Sequence, residues 1–367
     1  MRKWVISAAM LLLAALLLTL PVRAAEFRMT TVDDLQLPSE LVQAAPEAAS
    51  VMDMDAAGDF GLFSGAEQLW REAKKDVRSY LTAGVRSVSA LLAGVLLLGV
   101  ADSAMGSRGR RTILMAGTLF ITAVSAGDLQ SLIGLGQETI SRMTDLTTLL
   151  LPVLSAACAA SGSMTAAALR QTATVWFSGM LLQVIEGVFL PMVYLYVGTA
   201  AADAVLERQV LDGVGVLVKK GICWGLTGLL GLFVTYLTVS GAIGGTADAV
   251  AVKAAKTAIS VAVPVVGGVL AKAADTLLAG AGLLRGMVGV FGMLAILSLS
   301  LAPVLRLGAQ YVLYQTAASL AEAAAPGKLA GLMRKMGTAF MLVLAMTASS
   351  AAVLLIAIVC SCKVVAT

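Results

Sequence analysis

Residues Thr257–Gly289 read TAISVAVPVVGGVLAKAADTLLAGAGLLRGMVG. The stretch is long and apolar enough to cross a bilayer, whose hydrocarbon core is roughly 30 Å thick. Pro264 and the Gly267-Gly268 pair interrupt it near its middle. Proline removes a backbone donor and clashes with the preceding turn, and glycine loosens the chain. In lipid, the freed backbone groups need partners in neighbouring helices or in a wet cavity. Lys272 and Asp275 follow three residues apart, on one helical face. A broken span that is rich in small residues and carries a charge pair belongs inside a helix assembly. It is either a kinked packing helix whose pair snorkels to the interface, or the lining of a conduit.

The composition extends that reading to the whole chain. Of 367 residues, 59% are apolar and 13% charged, and the mean hydropathy is +0.91. A soluble domain carries about 25% charged residues. The sequence predicts an all-α protein, a polytopic transmembrane helical bundle with one broken helix around Pro264–Gly268. A net charge of +4, with no basic stripe interleaved with aromatics, gives no argument for nucleic acid. Histidine is absent, which removes the usual general base and most zinc sites. Neither a Walker A sequence nor a GxSxG elbow occurs. The expectation is a protein without enzymatic activity, cofactor or metal. Cys158 and Cys223 read as small hydrophobes in apolar spans, and Cys360 and Cys362 lack further ligands for a metal.

Residues 1–24 have the parts of a secretory signal peptide: basic Arg2-Lys3, an apolar core over Trp4–Leu20, and Val22-Arg23-Ala24 as a cleavage site. Cleavage after Ala24 and retention as an anchor both place the following segment outside the cytoplasm. Residues 25–84 hold 11 of the 22 acidic residues. This extracytoplasmic acidic segment begins as a tether and ends in an amphipathic helix. There Leu62, Ala66, Leu69, Trp70, Ala73, Val77, Tyr80 and Leu81 form the apolar stripe. That stripe suits a membrane surface or a partner helix equally.

The polytopic membrane domain, 85–367, contains eight apolar segments near 86–104, 112–128, 146–163, 173–198, 219–240, 257–280, 286–305 and 337–360. The Ser107–Arg111 cluster predicts a cytoplasmic loop. With eight alternating spans, the 129–145 connection becomes an outer amphipathic helix, and Lys219-Lys220 falls on the outer edge. Gly221/Gly225, Gly241/Gly245 and Gly282/Gly286 are GxxxG pairs, which let helix backbones approach closely within the chain or between copies of a homo-oligomer. Glu186 lies in the middle of an apolar span with no basic residue in that span. It either pairs with a charge from another helix or serves function directly.

The segments LPVLSAACAASGSMTAAAL at 151–169, FLPMVYLYVGTAAADAV at 189–205 and GGTADAVAVKAAKTAISVAVPVVGGVLAKAADTLLAG at 244–280 resemble the stage III sporulation protein AE family. The resemblance implies a multi-pass subunit in the mother-cell membrane around the forespore. It also implies a channel or secretion-like complex as the setting. Partners would be a secretion-type ATPase, small multi-pass subunits and a ring-forming subunit, alongside membrane lipid. An independent small-solute permease and a pore-less assembly scaffold are the alternative readings. The candidate conduit or packing residues are Glu186, Pro264, Gly267, Gly268, Lys272, Asp275, Gly282 and Gly286.

Overall fold

A computed structural model of the chain describes residues 43–49, 62–160, 165–205, 211–239, 267–323 and 327–363. The expected signal peptide, most of the acidic tether and Pro264 lie outside the described residues. The long elements are helical throughout: α1 (Leu62–Ala160), α2 (Thr165–Val184), a π-helical turn (Ile185–Phe189), α3 (Leu190–Val205), α4 (Asp212–Val239), α5 (Gly267–Ala321) and α6 (Gly327–Lys363). Among the described residues, six stretches are long and apolar enough to cross a membrane: Gly65–Ala104, Arg111–Leu150, Trp176–Ala204, Asp212–Leu237, Met287–Ala321 and Gly327–Val359.

Helical structure in α1 runs through 99 residues without a gap, yet the chain folds back inside it. A straight helix would hold Ser87 and Asp128 roughly 60 Å apart at 1.5 Å per residue. Instead their side chains are hydrogen-bonded. Gly94 lies against the ring of Phe120, and Gly117 against Leu98. The reversal therefore falls between Ala104 and Arg111, at the arginine-rich Ser107–Arg111 stretch. Leu91 and Val95 on the first arm, and Ile121 on the second, are fully buried.

The second arm then runs in one direction to Ala160, as its neighbours show. Gly117 meets Leu329, Gly136 meets Val343, and Leu150 lies with Ile358 beside Gly292. The segments read as separate spans at 112–128 and 146–163 share this one arm. The 129–145 connection between them is part of the same helix. Its inward side, Leu132, Ile133, Ile140, Met143 and Leu146, is buried, while Gln137, Glu138, Arg142 and Asp145 face outward. The amphipathic helix expected before the first span also packs inward. Leu69 and Ala73 are buried, and Arg306 of α5 stacks over the Tyr80 ring at 5.7 Å.

α5 joins 267–280 and 286–305 in one helix and continues to Ala321; the break expected around Pro264–Gly268 falls at and before its start, with Pro264 outside the described residues. Pro303 lies inside it and cannot donate to the carbonyl of Leu299. The next helix, α6, starts at Gly327, directly after Pro326, which cannot donate a backbone hydrogen bond to extend α5. α5 and α6 pair antiparallel, with Gly337 against Tyr314 and Gly308 against Leu344. Phe291, Leu307, Tyr314, Met333, Phe340 and Val343 on this pair are fully buried. α4 pairs antiparallel with the α2–α3 rod: Gly225 meets Phe189, Gly221 meets Met192, and Phe177 stacks on Tyr236 at 5.1 Å.

The reduction from eight segments to six described helices changes which turns share an end. Lys335, near the start of α6, reaches both Asp203 at the end of α3 and Asp212 at the start of α4. Leu329 against Gly117 puts the α1 reversal at that same end. The basic Ser107–Arg111 stretch and Lys328 thus lie toward one end of the bundle, and Lys219-Lys220 lies two turns from it. The α1 reversal is about ten residues beyond the Gly117–Leu329 contact, and so projects roughly 15 Å past the start of α6.

Candidate functional site

A belt of polar groups crosses the bundle two to three turns in from that end. On one side it is built around Asp128, a single carboxylate in the apolar run ITAVSAGDLQSL. The second arm of α1 carries Asp128 toward the first arm and α5. Its Oδ2 accepts from Ser87, from Gln310 Nε2 at 3.0 Å and from the Tyr314 hydroxyl at 2.9 Å. The Tyr314 hydroxyl also lies 3.3 Å from Ser125 Oγ. Tyr314 is fully buried and meets Phe340 edge-on, with ring centroids 5.0 Å apart. Three neutral donors on one oxygen hold three helical segments in register, because a buried polar group left unpaired is costly.

On the other side of α6 the belt continues as a charge cluster. Lys335 Nζ lies 2.8 Å from Asp203 Oδ2 and 2.8 Å from Asp212 Oδ1. Asp203 is nearly enclosed, with its side chain 8% exposed, and its second oxygen has no partner among the described residues. Arg334, the residue before, pairs with Glu322 in the α5–α6 turn, and its carbonyl accepts from Gln315. Gly337 against Tyr314 joins the two halves of the belt at one level. Among the described residues, no three His, Cys, Asp or Glu side chains come together as a metal site requires.

Glu186 occupies the π-helical turn Ile185–Phe189, where Leu190 N–H bonds to Ile185 O. The sequence explains this wider turn. Pro191 has no N–H to give to Gly187 O, so the helix relaxes locally into the longer pattern. Glu186 is half-buried there, and among the described residues it has no ion-pair partner. Gly267, Gly268, Lys272, Asp275, Gly282 and Gly286 lie along the first twenty residues of α5, where the backbone is helical. The described structure does not bring Glu186 and this group into one site.

The belt residues Ser87, Asp128, Asp203, Gln310, Tyr314 and Lys335 were not among the sequence-derived candidates. A single carboxylate inside an apolar run was the available signal at Asp128 and at Asp203. Their partners lie 182 and 132 residues away in the chain, so spacing could not pair them.

Comparison with known proteins places this architecture. The chain is 23% identical over 185 residues to stage III sporulation protein AE of Bacillus subtilis (strain 168), an alignment covering 50% of this chain and 46% of that protein. In that alignment the chain spans about half the length of the curated relative it matches. No solved structure matches it. The model of the family described as stage III sporulation protein AE matches residues 62–364, which takes in all six membrane-length helices and both halves of the polar belt. The chain therefore belongs to the stage III sporulation protein AE family.

Proposed function

We propose that this sporulation membrane protein is a non-enzymatic integral subunit of a trans-envelope, secretion-like channel complex. It links mother cell and forespore during endospore formation and is needed for forespore development. The observation that carries the reading is the family match over 62–364, which covers the bundle from the start of α1 to the end of α6. The mother-cell membrane around the forespore is the proposed location. A secretion-type ATPase, small multi-pass subunits and a ring-forming subunit are the proposed partners. The architecture is consistent with that role: helices of membrane length are cross-tied by polar contacts, and the chemistry at the ties is hydrogen bonding and ion pairing.

The test is deletion and affinity recovery in sporulating cells. Loss of the gene should let engulfment begin and then arrest the forespore, and the tagged protein should recover the ATPase and ring subunit from solubilised membranes. Normal spore yield in the deletion strain, or recovery of the protein without other subunits, would overturn the reading.

A further inference from the structure

The α2–α3 rod and α4 define one slab of the bundle, crossed by α5 and α6. Trp176–Ala204 and Asp212–Leu237 share their depth with the parts of α5 and α6 that run from the polar belt toward Met287 and Val359, while α5 and α6 continue about two turns past the α3–α4 end. One end is tied by Lys335 to Asp203 and Asp212, the other by Phe177 on Tyr236 and by Gly292 against Ile358. Outward side chains in this slab suit hydrocarbon: Leu195, Leu217, Leu232 and Trp224 are 54%, 70%, 61% and 80% exposed.

At the same depth α1 presents the opposite chemistry. Tyr80 sits beneath Arg306, and Leu150 lies against Gly292, so 65–86 and 129–150 run alongside α5 through the slab. The outward sides of these two arms carry Glu67, Arg71, Arg78, Glu138, Arg142 and Asp145, all exposed, with Trp70 and Leu81 among them. Arg71–Glu67 and Arg142–Glu138 are i,i+4 pairs of the kind found on hydrated helix surfaces. The apolar halves of the arms, 86–104 and 112–128, lie past the polar belt and outside the slab. Hydrocarbon rejects charged side chains most strongly near mid-depth.

We propose that the outward sides of 65–86 and 129–150 face a water-filled lumen within the membrane, while α2–α4 face lipid. This deepens the channel reading above and rests on it. Acids and bases interleave along this surface: with Glu72, Lys75 and Arg86, which are also exposed, it carries four acids and five bases among the described side chains. A ring of one sign selects ions, whereas a balanced lining does not. The cargo class that fits is small hydrophilic solutes of either charge.

Thiol labelling in native membranes of sporulating cells tests this. Single cysteines replace Arg71, Glu138 or Arg142, and Leu195, Leu217 or Trp224, in a protein whose four cysteines have been changed to serine or alanine. The probes are two membrane-impermeant methanethiosulfonates, one cationic and one anionic. The expected result is labelling at the three α1 positions at least a hundredfold faster than at the other three, with the two probes within tenfold of each other. Slow labelling at all six positions would overturn the lumen, because it means that protein or lipid covers α1. Fast labelling at all six would also overturn it, because the slab would then lie outside the bilayer. A greater than tenfold preference for one probe would overturn the unselective lining. Recovery of partner subunits is a separate measurement, so its failure strikes the channel-complex reading without changing the labelling pattern.

Discussion

The hydroxyl of Tyr314 donates to Asp128 at 2.9 Å across 186 residues of sequence, fastening α5 to the second arm of α1. Ser87 and Gln310 donate to the same oxygen. A Tyr314→Phe substitution keeps the buried ring and its contact with Phe340 but removes one donor. Hydrogen bonds to a charged group contribute about 1.5–3 kcal/mol, so the variant should unfold at lower temperature in detergent than the parent protein. In a double-mutant cycle with Asp128→Asn, the two losses should be clearly non-additive. Strict additivity would show that the contact does not join the helices.

Lys335 is shared by two carboxylates, and one of them is nearly enclosed. Lys335→Ala leaves Asp203 without its cation. The loss should be on the order of 3 kcal/mol, at the low end for a broken buried pair because the lysine is 29% exposed. Asp203→Leu combined with Lys335→Leu removes both the charge and the orphan, and should recover much of the lost thermal stability. If the double variant is no better than Lys335→Ala, the cluster does more than tie α3 to α6.

The fold-back in α1 depends on close approach at Gly94. A side chain there meets the Phe120 ring, whereas nothing lies near a side chain placed at Gly127. Gly94→Leu should therefore separate the arms and destabilise the protein by about 1–3 kcal/mol, while Gly127→Leu on the same helix should be close to neutral. Protease sensitivity and thermal unfolding in detergent would read the contrast. Equal behaviour of the two variants would deny the packing at 94–120.

Sidedness separates six described helices from eight alternating spans. If the second arm crosses in one direction, cysteines at Ser107 and Glu322 should label from one compartment and a cysteine at Ser163 from the other. The alternating eight-span arrangement puts all three on the same side. Impermeant labelling of intact cells and of inverted vesicles distinguishes these outcomes.

Composition and hydropathy alone determined that this chain is all-α and suited to the membrane. Every residue must satisfy its backbone within its own segment in lipid, so a run of about 20 apolar residues specifies a helix wherever it ends up. Local chemistry also accounts for the start of α6 at Gly327, after Pro326, and for the π-helical turn before Pro191, because a proline has no backbone N–H to donate. Family membership was legible too, in the segments at 151–169, 189–205 and 244–280. The number of crossings was not. The stretch at 129–145 carries Gln137, Glu138, Arg142 and Asp145, which lowers its hydropathy to that of a surface connection. Only packing against α5 and α6 shows it to be continuous helix with its polar side turned outward. The polar belt was equally out of reach. Asp128 finds its donors on Tyr314 and Gln310, and Asp203 its cation on Lys335, because folding brings distant helices to one level. Local sequence sets the conformation of each helix, whereas pairing between buried polar groups depends on inter-helix register, which exists only once the bundle has formed.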